Sequence, residues 1–187
     1  MKRIAIFASG KGTNAEKIIE RFKNHSSAKV ELVLTNNPAA GVISIAHKNK
    51  IISAIVSRDF FGNEEKMNKL LSALQIDGIV LAGFMQLIPA FLIKQFPKRI
   101  INIHPALLPK FGGKGMYGIH VHRAVLAAGE KQSGITIHYV NERYDEGEVI
   151  LQKQIPVAAD ETAETLQQKI QQLEHEHLPT VVAQMFG

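Results

Sequence analysis

The segment Arg3-Ile4-Ala5-Ile6-Phe7-Ala8 is followed directly by Ser9-Gly10-Lys11-Gly12-Thr13-Asn14. The first six residues are almost all apolar, which predicts a short strand that is buried on both faces. The glycines of the second half predict a loop, and Ile18, Ile19 and Phe22 then recur at helical spacing. The sequence therefore opens with a strand, a loop and a helix.

The same alternation continues along the chain. Further strands are predicted at 30–34, 51–56, 79–81, 100–104, 135–140 and 149–155. Helices are predicted from Asn37-Pro38 onward, at 64–74, within 89–96 and at 119–128, and a last helix begins at Asp160 or Thr162 and bends or restarts at Pro179. This order indicates an α/β fold, a three-layer α-β-α, Rossmann-like arrangement with a mostly parallel sheet and a mixed C-terminal part.

The composition limits the class of protein. With 187 residues, 45% of them hydrophobic, the chain is predicted to form a single domain, 1–187. No apolar stretch reaches membrane-spanning length and no signal segment is recognised, so we expect a cytoplasmic protein without a membrane partner. The chain has no cysteine, which excludes disulfides, thiolate zinc sites and a cysteine nucleophile.

The formal net charge of +5 favours anionic ligands without choosing among nucleic acids, acidic lipids and phosphorylated metabolites. The lysines and arginines are spread along the chain, and only 6% of the residues are aromatic. A surface that stacks bases between basic side chains is therefore not predicted, and nucleic acid is not expected as the partner.

The first loop is suited to an anion. Gly10, Gly12, Thr13 and Asn14 lie between a strand and a helix, where unpaired backbone N–H groups and the helix dipole favour negative charge. A capping box between Thr13 and residue 16, a glutamate, is also predicted. A dinucleotide fingerprint would need a third glycine at residue 15, which is alanine, so a single phosphate monoester fits better. A glycine turn that only serves packing stays open.

Asn102 and His104 close the fifth predicted strand. Residues two apart on a strand point to the same face, roughly 6–7 Å apart. An amide and an imidazole so placed could donate hydrogen bonds to the oxyanion of an acyl transfer, the imidazole in its cationic form. A carboxylate beside the imidazole would keep it cationic. Spacing alone leaves four candidates for that carboxylate: Glu142, Asp145, Glu146 and Glu148.

Several segments together carry a resemblance to a known family. They are Ser9–Asn14, Leu81–Met85, Asn102–Lys110, His138–Val140, Asp145–Gly147 and Val149–Gln152. Over nearly its whole length the chain resembles the small, folate-dependent bacterial phosphoribosylglycinamide formyltransferases. The resemblance implies their formyltransferase fold, and it selects Asp145 as the third catalytic residue beside Asn102 and His104.

The resemblance also implies substrates and binding residues. The formyl group of the co-substrate 10-formyltetrahydrofolate would pass to glycinamide ribonucleotide in purine biosynthesis, without a metal, in a monomer or homodimer. The phosphate-binding half would be about 1–100, and the folate and catalytic half about 80–187. The phosphate is expected on Gly12, Thr13 and Asn14, and the ribose on Glu174. The folate is expected on Met85, Gln86, Leu87, Ile88, Asn141 and Glu142.

Other positions are less clearly assigned by the resemblance. Many relatives carry arginine after the methionine of the fourth-strand loop, where this chain has Gln86, and the loop Gly112–Tyr117 is longer and richer in glycine than theirs. Arg58 is a possible phosphate cation, and His138 a possible support for Asp145 or His104. The remaining histidines considered are predicted to cap helices or face solvent rather than bind metal: His120, His122, His175 and His177.

Four alternatives remain. Formylation of methionyl-tRNA shares a similar histidine-proline segment but normally comes with an added C-terminal domain, whereas this sequence stops at Gly187. A formylfolate hydrolase usually has an added regulatory domain. A basic nucleotide- or RNA-binding module would use the phosphate loop without chemistry. An oxidoreductase would need the acidic ribose-binding residue that the second strand lacks.

Overall fold

The computed structural model describes residues 1–187. The strands are β1 (Lys2–Phe7), β2 (Ala28–Thr35), β3 (Ile52–Ile55), β4 (Gly78–Leu81), β5 (Ile100–His104), β6 (Gln132–Tyr139) and β7 (Val149–Pro156). The helices are α1 (Thr13–Phe22), α2 (Val42–Lys48), α3 (Arg58–Gly62), α4 (Glu64–Ala73), α5 (Ala90–Gln95), α6 (Ile119–Ala127) and α7 (Ala163–Phe186).

All seven strands form one sheet in the order β3-β2-β1-β4-β5-β6-β7. The pairs from β3 to β5 are parallel, whereas β6 pairs antiparallel with both β5 and β7. The predicted α/β fold with a mostly parallel sheet and a mixed C-terminal part is therefore confirmed. The carboxyl ends of β1, β4 and β5 meet at one edge of the sheet, which is where ligands gather in such folds.

The sheet separates two hydrophobic cores, because successive residues of a buried strand point to opposite faces. In β1, Ile4 and Ile6 belong to a core shared with α1, α2, α6 and α7. Ala5 and Phe7 belong to the other core, which is shared with α3, α4 and α5. Helices cover both faces, which gives the three layers predicted from the sequence.

Before β4, one predicted helix start is wrong and one short helix was missed. No helix begins at Asn37-Pro38: the Asn37 side chain accepts from Ala39 N at 3.0 Å and donates to Ser9 O at 3.1 Å, so this segment turns, and α2 begins only at Val42. The short helix α3 was not predicted from the sequence. Its N-cap is Ser57, whose hydroxyl accepts from Phe60 N at 3.1 Å.

The last helix begins after Thr162, one of the two predicted caps. The Thr162 hydroxyl accepts from Thr165 N at 3.2 Å, and the Thr165 hydroxyl accepts from Thr162 N at 3.0 Å. The helix is one continuous element through Pro179, so the predicted restart is wrong. None of the helices combines the length and apolar composition needed to cross a membrane.

The reciprocal cap predicts a measurable contribution to stability. Thr162→Ala removes the hydroxyl that satisfies Thr165 N and should lower the free energy of unfolding by about 1 kcal/mol, measured by urea denaturation. Thr180→Ala is the matched control, since the Thr180 hydroxyl bonds only to Glu176 O within the helix. Equal losses in the two variants would contradict a stabilising role of the cap.

Candidate active site

A cavity of about 630 Å³ opens at the sheet edge where β1, β4 and β5 end. Its walls come from the loops after these three strands, from the segment between β6 and β7, and from α7. Most residues predicted to bind or react lie along it: Gly12, Thr13, Asn14, Met85, Gln86, Leu87, Ile88, Asn102, His104, His138, Asn141, Asp145 and Glu174.

Asn102 is held by the antiparallel pairing of β5 and β6, in which it lies opposite His138. Its Nδ2 is 3.2 Å from His138 Nε2 and 3.3 Å from Asp145 Oδ1. His138 Nδ1 faces Tyr139 O at 2.8 Å, and because a carbonyl only accepts, Nδ1 carries the proton. The Asn102 amide nitrogen therefore lies between His138 Nε2 and the Asp145 carboxylate.

His104 is buried at the end of β5. Its Nε2 donates to Phe111 O at 2.8 Å, while its Nδ1 lies 3.4 Å from Asp145 Oδ2. Burial lowers the pKa of His104, and although Asp145 and the Phe111 carbonyl act in the opposite direction, the pKa stays below the ordinary histidine value. Burial thus opposes the cationic form that was expected for His104, whereas the carboxylate of Asp145 favours it, and the cationic state stays a prediction.

Asp145 lies in the loop between β6 and β7 with a backbone φ of 57°, a left-handed conformation that aspartate adopts more readily than most residues. Its Oδ2 accepts from Gly113 N at 2.9 Å. Burial raises the pKa of Asp145, but contacts with His138, His104 and Gly113 N outweigh burial and leave the pKa below its usual range. The site therefore contains a carboxylate beside the imidazole of His104.

The segment 9–14, predicted from the sequence to bind phosphate, is called the phosphate loop. It contains Gly12, which is the N-cap of α1 with φ 83°. Glycine is required there, because an added Cβ would lie 2.7 Å from Val42 Cβ. The predicted capping box between Thr13 and residue 16 is wrong, since Thr13 is already the first residue of the helix. The Thr13 hydroxyl instead accepts from Gln171 Nε2 at 2.9 Å, so α7 holds the loop.

Glu174 makes the second contact between α7 and the phosphate loop. Its Oε2 accepts from Asn14 Nδ2 at 2.9 Å. Burial raises the pKa of Glu174 to about 6, although the contact with Asn14 acts in the opposite direction. Gln171 was not singled out from the sequence, but it lies three residues before Glu174, a spacing that puts both side chains on one face of the helix.

The loop after β4 forms the other end of the cavity. Ser9 fixes this loop, because its hydroxyl accepts from Met85 N at 3.0 Å and donates to Asn36 Oδ1 at 2.6 Å. Of the two residues predicted on the facing segment, Asn141 lines the cavity, whereas Glu142 is exposed and does not. Arg143 and Tyr144 also line it; both lie within the segment 141–145 that was expected to contact the folate, but neither was singled out.

Arg58 does not line the main cavity. It lines a neighbouring cavity of about 730 Å³ that shares Met85, Gln86, Leu87 and Tyr144 with the main one. The structure therefore puts Arg58, a possible phosphate cation, outside the cavity that contains the loop Gly12–Asn14.

His122 departs from its predicted capping or solvent role. It is buried in the wall of the main cavity, and burial, together with His104, lowers its pKa to about 4. His120 is exposed, as predicted. No group of three or more histidine, aspartate or glutamate side chains is arranged to hold a metal ion.

The sequence matches a protein family described as "Formyl transferase" over residues 2–182. The chain belongs to the formyl transferase family. Membership agrees with the geometry of the site, since donors and a carboxylate next to a phosphate loop suit the transfer of an acyl group between two bound molecules.

Named relatives extend this comparison. The chain is 38% identical to the phosphoribosylglycinamide formyltransferase of Bacillus subtilis, covering 100% of this chain and 96% of that protein. It is 42% identical to the chloroplastic phosphoribosylglycinamide formyltransferase of Arabidopsis thaliana over 97% of its length, but spans only 64% of the plant protein. The solved structure of glycinamide ribonucleotide transformylase 1 from Geobacillus kaustophilus superimposes with a TM-score of 0.90 at 37% identity, covering 100% of both chains.

The contact between Asp145 and His104 predicts the direction of a titration shift. Asp145→Asn removes the negative charge that raises the His104 pKa, so that pKa should fall further below the wild-type value. Histidine-resolved NMR titration measures the change, with the exposed Glu142→Gln as the matched control. An unchanged or raised His104 pKa in Asp145→Asn would show that the carboxylate does not act on the imidazole.

Proposed function

We propose that this protein transfers the formyl group of 10-formyltetrahydrofolate to the amine of glycinamide ribonucleotide. The products are formylglycinamide ribonucleotide and tetrahydrofolate, and the step belongs to purine biosynthesis. The observation that carries the proposal is the convergence of Asn102, His104 and Asp145 in one cavity that also contains a phosphate loop. The names of the Bacillus and Geobacillus relatives support it.

The two substrates would occupy different ends of the cavity. Backbone N–H groups of the loop Gly12–Asn14, together with the Thr13 hydroxyl, would bind the phosphate, and Glu174 would accept from the ribose hydroxyls. The folate would lie between the loop 85–88 and the segment 141–145. The loop 85–88 exposes the apolar side chains of Met85 and Leu87. The amine and the formyl group would then meet beside His104.

The reaction would proceed through a tetrahedral intermediate. The amine nitrogen attacks the formyl carbon, a C–N bond forms, and the formyl oxygen becomes an oxyanion. An Asn102 amide hydrogen, now in a long 3.3 Å contact to Asp145, and the His104 Nε2 hydrogen, now on Phe111 O, are the available donors. Both would exchange their present acceptor for the oxyanion, whose charge is strongly stabilised in a site that excludes water.

Proton transfer completes the step. The attacking nitrogen gains positive charge and must lose a proton, while the folate nitrogen N10 must gain one as its bond to carbon breaks. Burial favours a neutral His104 that can take up the first proton, and the imidazolium so formed would be stabilised by the Asp145 carboxylate 3.4 Å away. Returning this proton to N10 restores both groups.

Three expectations remain predictions. They are the cytoplasmic location, the monomeric or homodimeric assembly, and the division into a phosphate-binding half and a folate and catalytic half. The proposed reaction uses 10-formyltetrahydrofolate as co-substrate, and we expect it to need no metal.

The first test follows the absorbance of deformylated folate when the purified protein meets 10-formyltetrahydrofolate, with and without glycinamide ribonucleotide. Turnover should require the amine. His104→Asn should lower kcat by about 10²- to 10⁴-fold, since it removes both the oxyanion donor and the proton acceptor. The matched control is His120→Asn, because His120 is exposed and does not line the cavity.

Three outcomes would contradict the proposal. Turnover without the amine would indicate a hydrolase. No turnover with either mixture, despite folate binding, would indicate a different acceptor or a binding protein. Near-normal activity of His104→Asn would remove the imidazole from the mechanism.

The raised pKa of Glu174 predicts a pH dependence of substrate binding. A carboxylate accepts hydrogen bonds from ribose hydroxyls better than a neutral carboxyl, so the KM for glycinamide ribonucleotide should fall as pH rises through about 6. Glu174→Gln should raise KM about tenfold at pH 7.5 by removing a charged acceptor. The substrate phosphate also titrates near pH 6, and it should change the KM equally in the wild type and in Glu174→Gln. Identical pH profiles of KM would exclude Glu174 as the titrating group.

A further inference from the structure

The phosphate end of the cavity needs positive charge that the loop alone does not supply. A phosphate monoester carries about −1.5 to −2 charges at pH 7. The loop Gly12–Asn14 offers backbone N–H groups and the Thr13 hydroxyl, and the adjacent Glu174 is a carboxylate for which burial raises the pKa to about 6. Arg58, the cation expected from the sequence, lines a different cavity.

Three flexible cations line the main cavity: Lys11, Lys114 and Arg143. Arg143 belongs to the segment between β6 and β7, at the folate end, and its Nη1 is 3.2 Å from Glu146 Oε2. Lys11 lies within the phosphate loop itself. With the carboxylates Asp145 and Glu174 in the same walls, removing both lysines would leave more negative than positive charge around an anionic substrate.

Lys114 lies on the segment that connects the catalytic carboxylate to the helices behind the phosphate loop. The preceding residue, Gly113, donates to Asp145 Oδ2 at 2.9 Å. Five residues after Lys114, the chain enters α6 at Ile119, and α6 packs against α7, the helix that bonds to Thr13 and Asn14. The segment therefore joins the reaction centre to a helix that packs against α7, and Lys114 lines the same cavity as the loop Gly12–Asn14.

The local backbone presents Lys114 at an open turn. Gly113 and Gly115 have φ angles of 97° and 90°, which only glycine adopts without strain, while a Cβ at either position would meet nothing within 4 Å. These glycines are therefore explained by the turn and not by packing. Lys114 is exposed and makes no ion pair, in contrast to Lys110 at the other end of the segment, whose Nζ is 2.7 Å from Glu130 Oε1.

We propose that Lys114, together with Lys11, binds the substrate phosphate, so that two different loops supply the charge that an arginine was expected to supply. The proposal rests on the function proposed above, and it assigns a role to a residue of the glycine-rich segment 112–118. Lysine suits the task because its compact charge and three donors can approach a phosphate from several directions.

The test is calorimetric titration of the whole protein with ribose 5-phosphate, which measures binding without formyl transfer. Lys114→Gln and Lys11→Gln should each weaken the Kd about tenfold, the usual size of a charge-assisted contact. The double variant should be weaker than either single variant. Lys110→Gln is the matched control and should bind as the wild type does. Raising the salt concentration should weaken wild-type binding more than binding by the double variant.

A titration with 10-formyltetrahydrofolate identifies the alternative role of the lysines. Its Kd should be unchanged in Lys114→Gln; a weaker folate Kd with a normal ribose 5-phosphate Kd would assign Lys114 to the folate carboxylates and overturn the proposal. Unchanged ribose 5-phosphate binding in Lys114→Gln, or no binding by the wild type, would also overturn it. If the binding results hold but no formyl transfer to glycinamide ribonucleotide is detected, the proposed function fails while the phosphate site stands.

Discussion

The site depends above all on the antiparallel pairing of β6 with β5. In a parallel sheet every strand ends at the carboxyl edge, and a crossover connection carries the chain back to the amino edge before the next strand begins. Here β6 runs back along β5 in a register that puts His138 opposite Asn102 and Tyr139 opposite Ile101, so β6 ends level with the start of β5. The segment after β6 then folds back to His104, the last residue of β5. Asp145 Oδ1 therefore lies 3.3 Å from Asn102 Nδ2 and 3.6 Å from His138 Nε2, and Asp145 Oδ2 lies 3.4 Å from His104 Nδ1.

The electrostatic state of the site follows from this arrangement. A buried carboxylate would ordinarily become neutral, but Asp145 receives hydrogen bonds from Gly113 N and Asn102 and lies beside two imidazoles, so its pKa is lowered. His104 is so deeply buried that its pKa falls despite the adjacent carboxylate. His104 and Asp145 can thus act as proton acceptors. Because both are largely buried, any charge that develops between them during the reaction interacts with them more strongly than it would in water.

The C-terminal helix connects the two ends of the chain. Its Gln171 and Glu174 bond to Thr13 and Asn14, about 160 residues earlier. In the ligand-free protein these bonds occupy side chains that are proposed to bind phosphate and ribose. Substrate binding would therefore exchange contacts within the protein for contacts with the substrate, and it would do so at a loop whose backbone is already fixed by Gly12 and its neighbour Val42.

By itself the sequence determined what depends on short-range pattern. The alternation of strands and helices, the loops after β1, β4 and β5, and the shared face of Asn102 and His104 all follow from periodicities of two or 3.6 residues. It also carried enough family resemblance to select Asp145. The tertiary structure alone decided the lowered pKa of His104, the burial of His122, the bond from Gln171 to Thr13 and the position of Arg58 outside the main cavity. These properties depend on strand register and helix packing between distant segments, and local spacing does not encode which distant side chain fills a given space or how completely it excludes water.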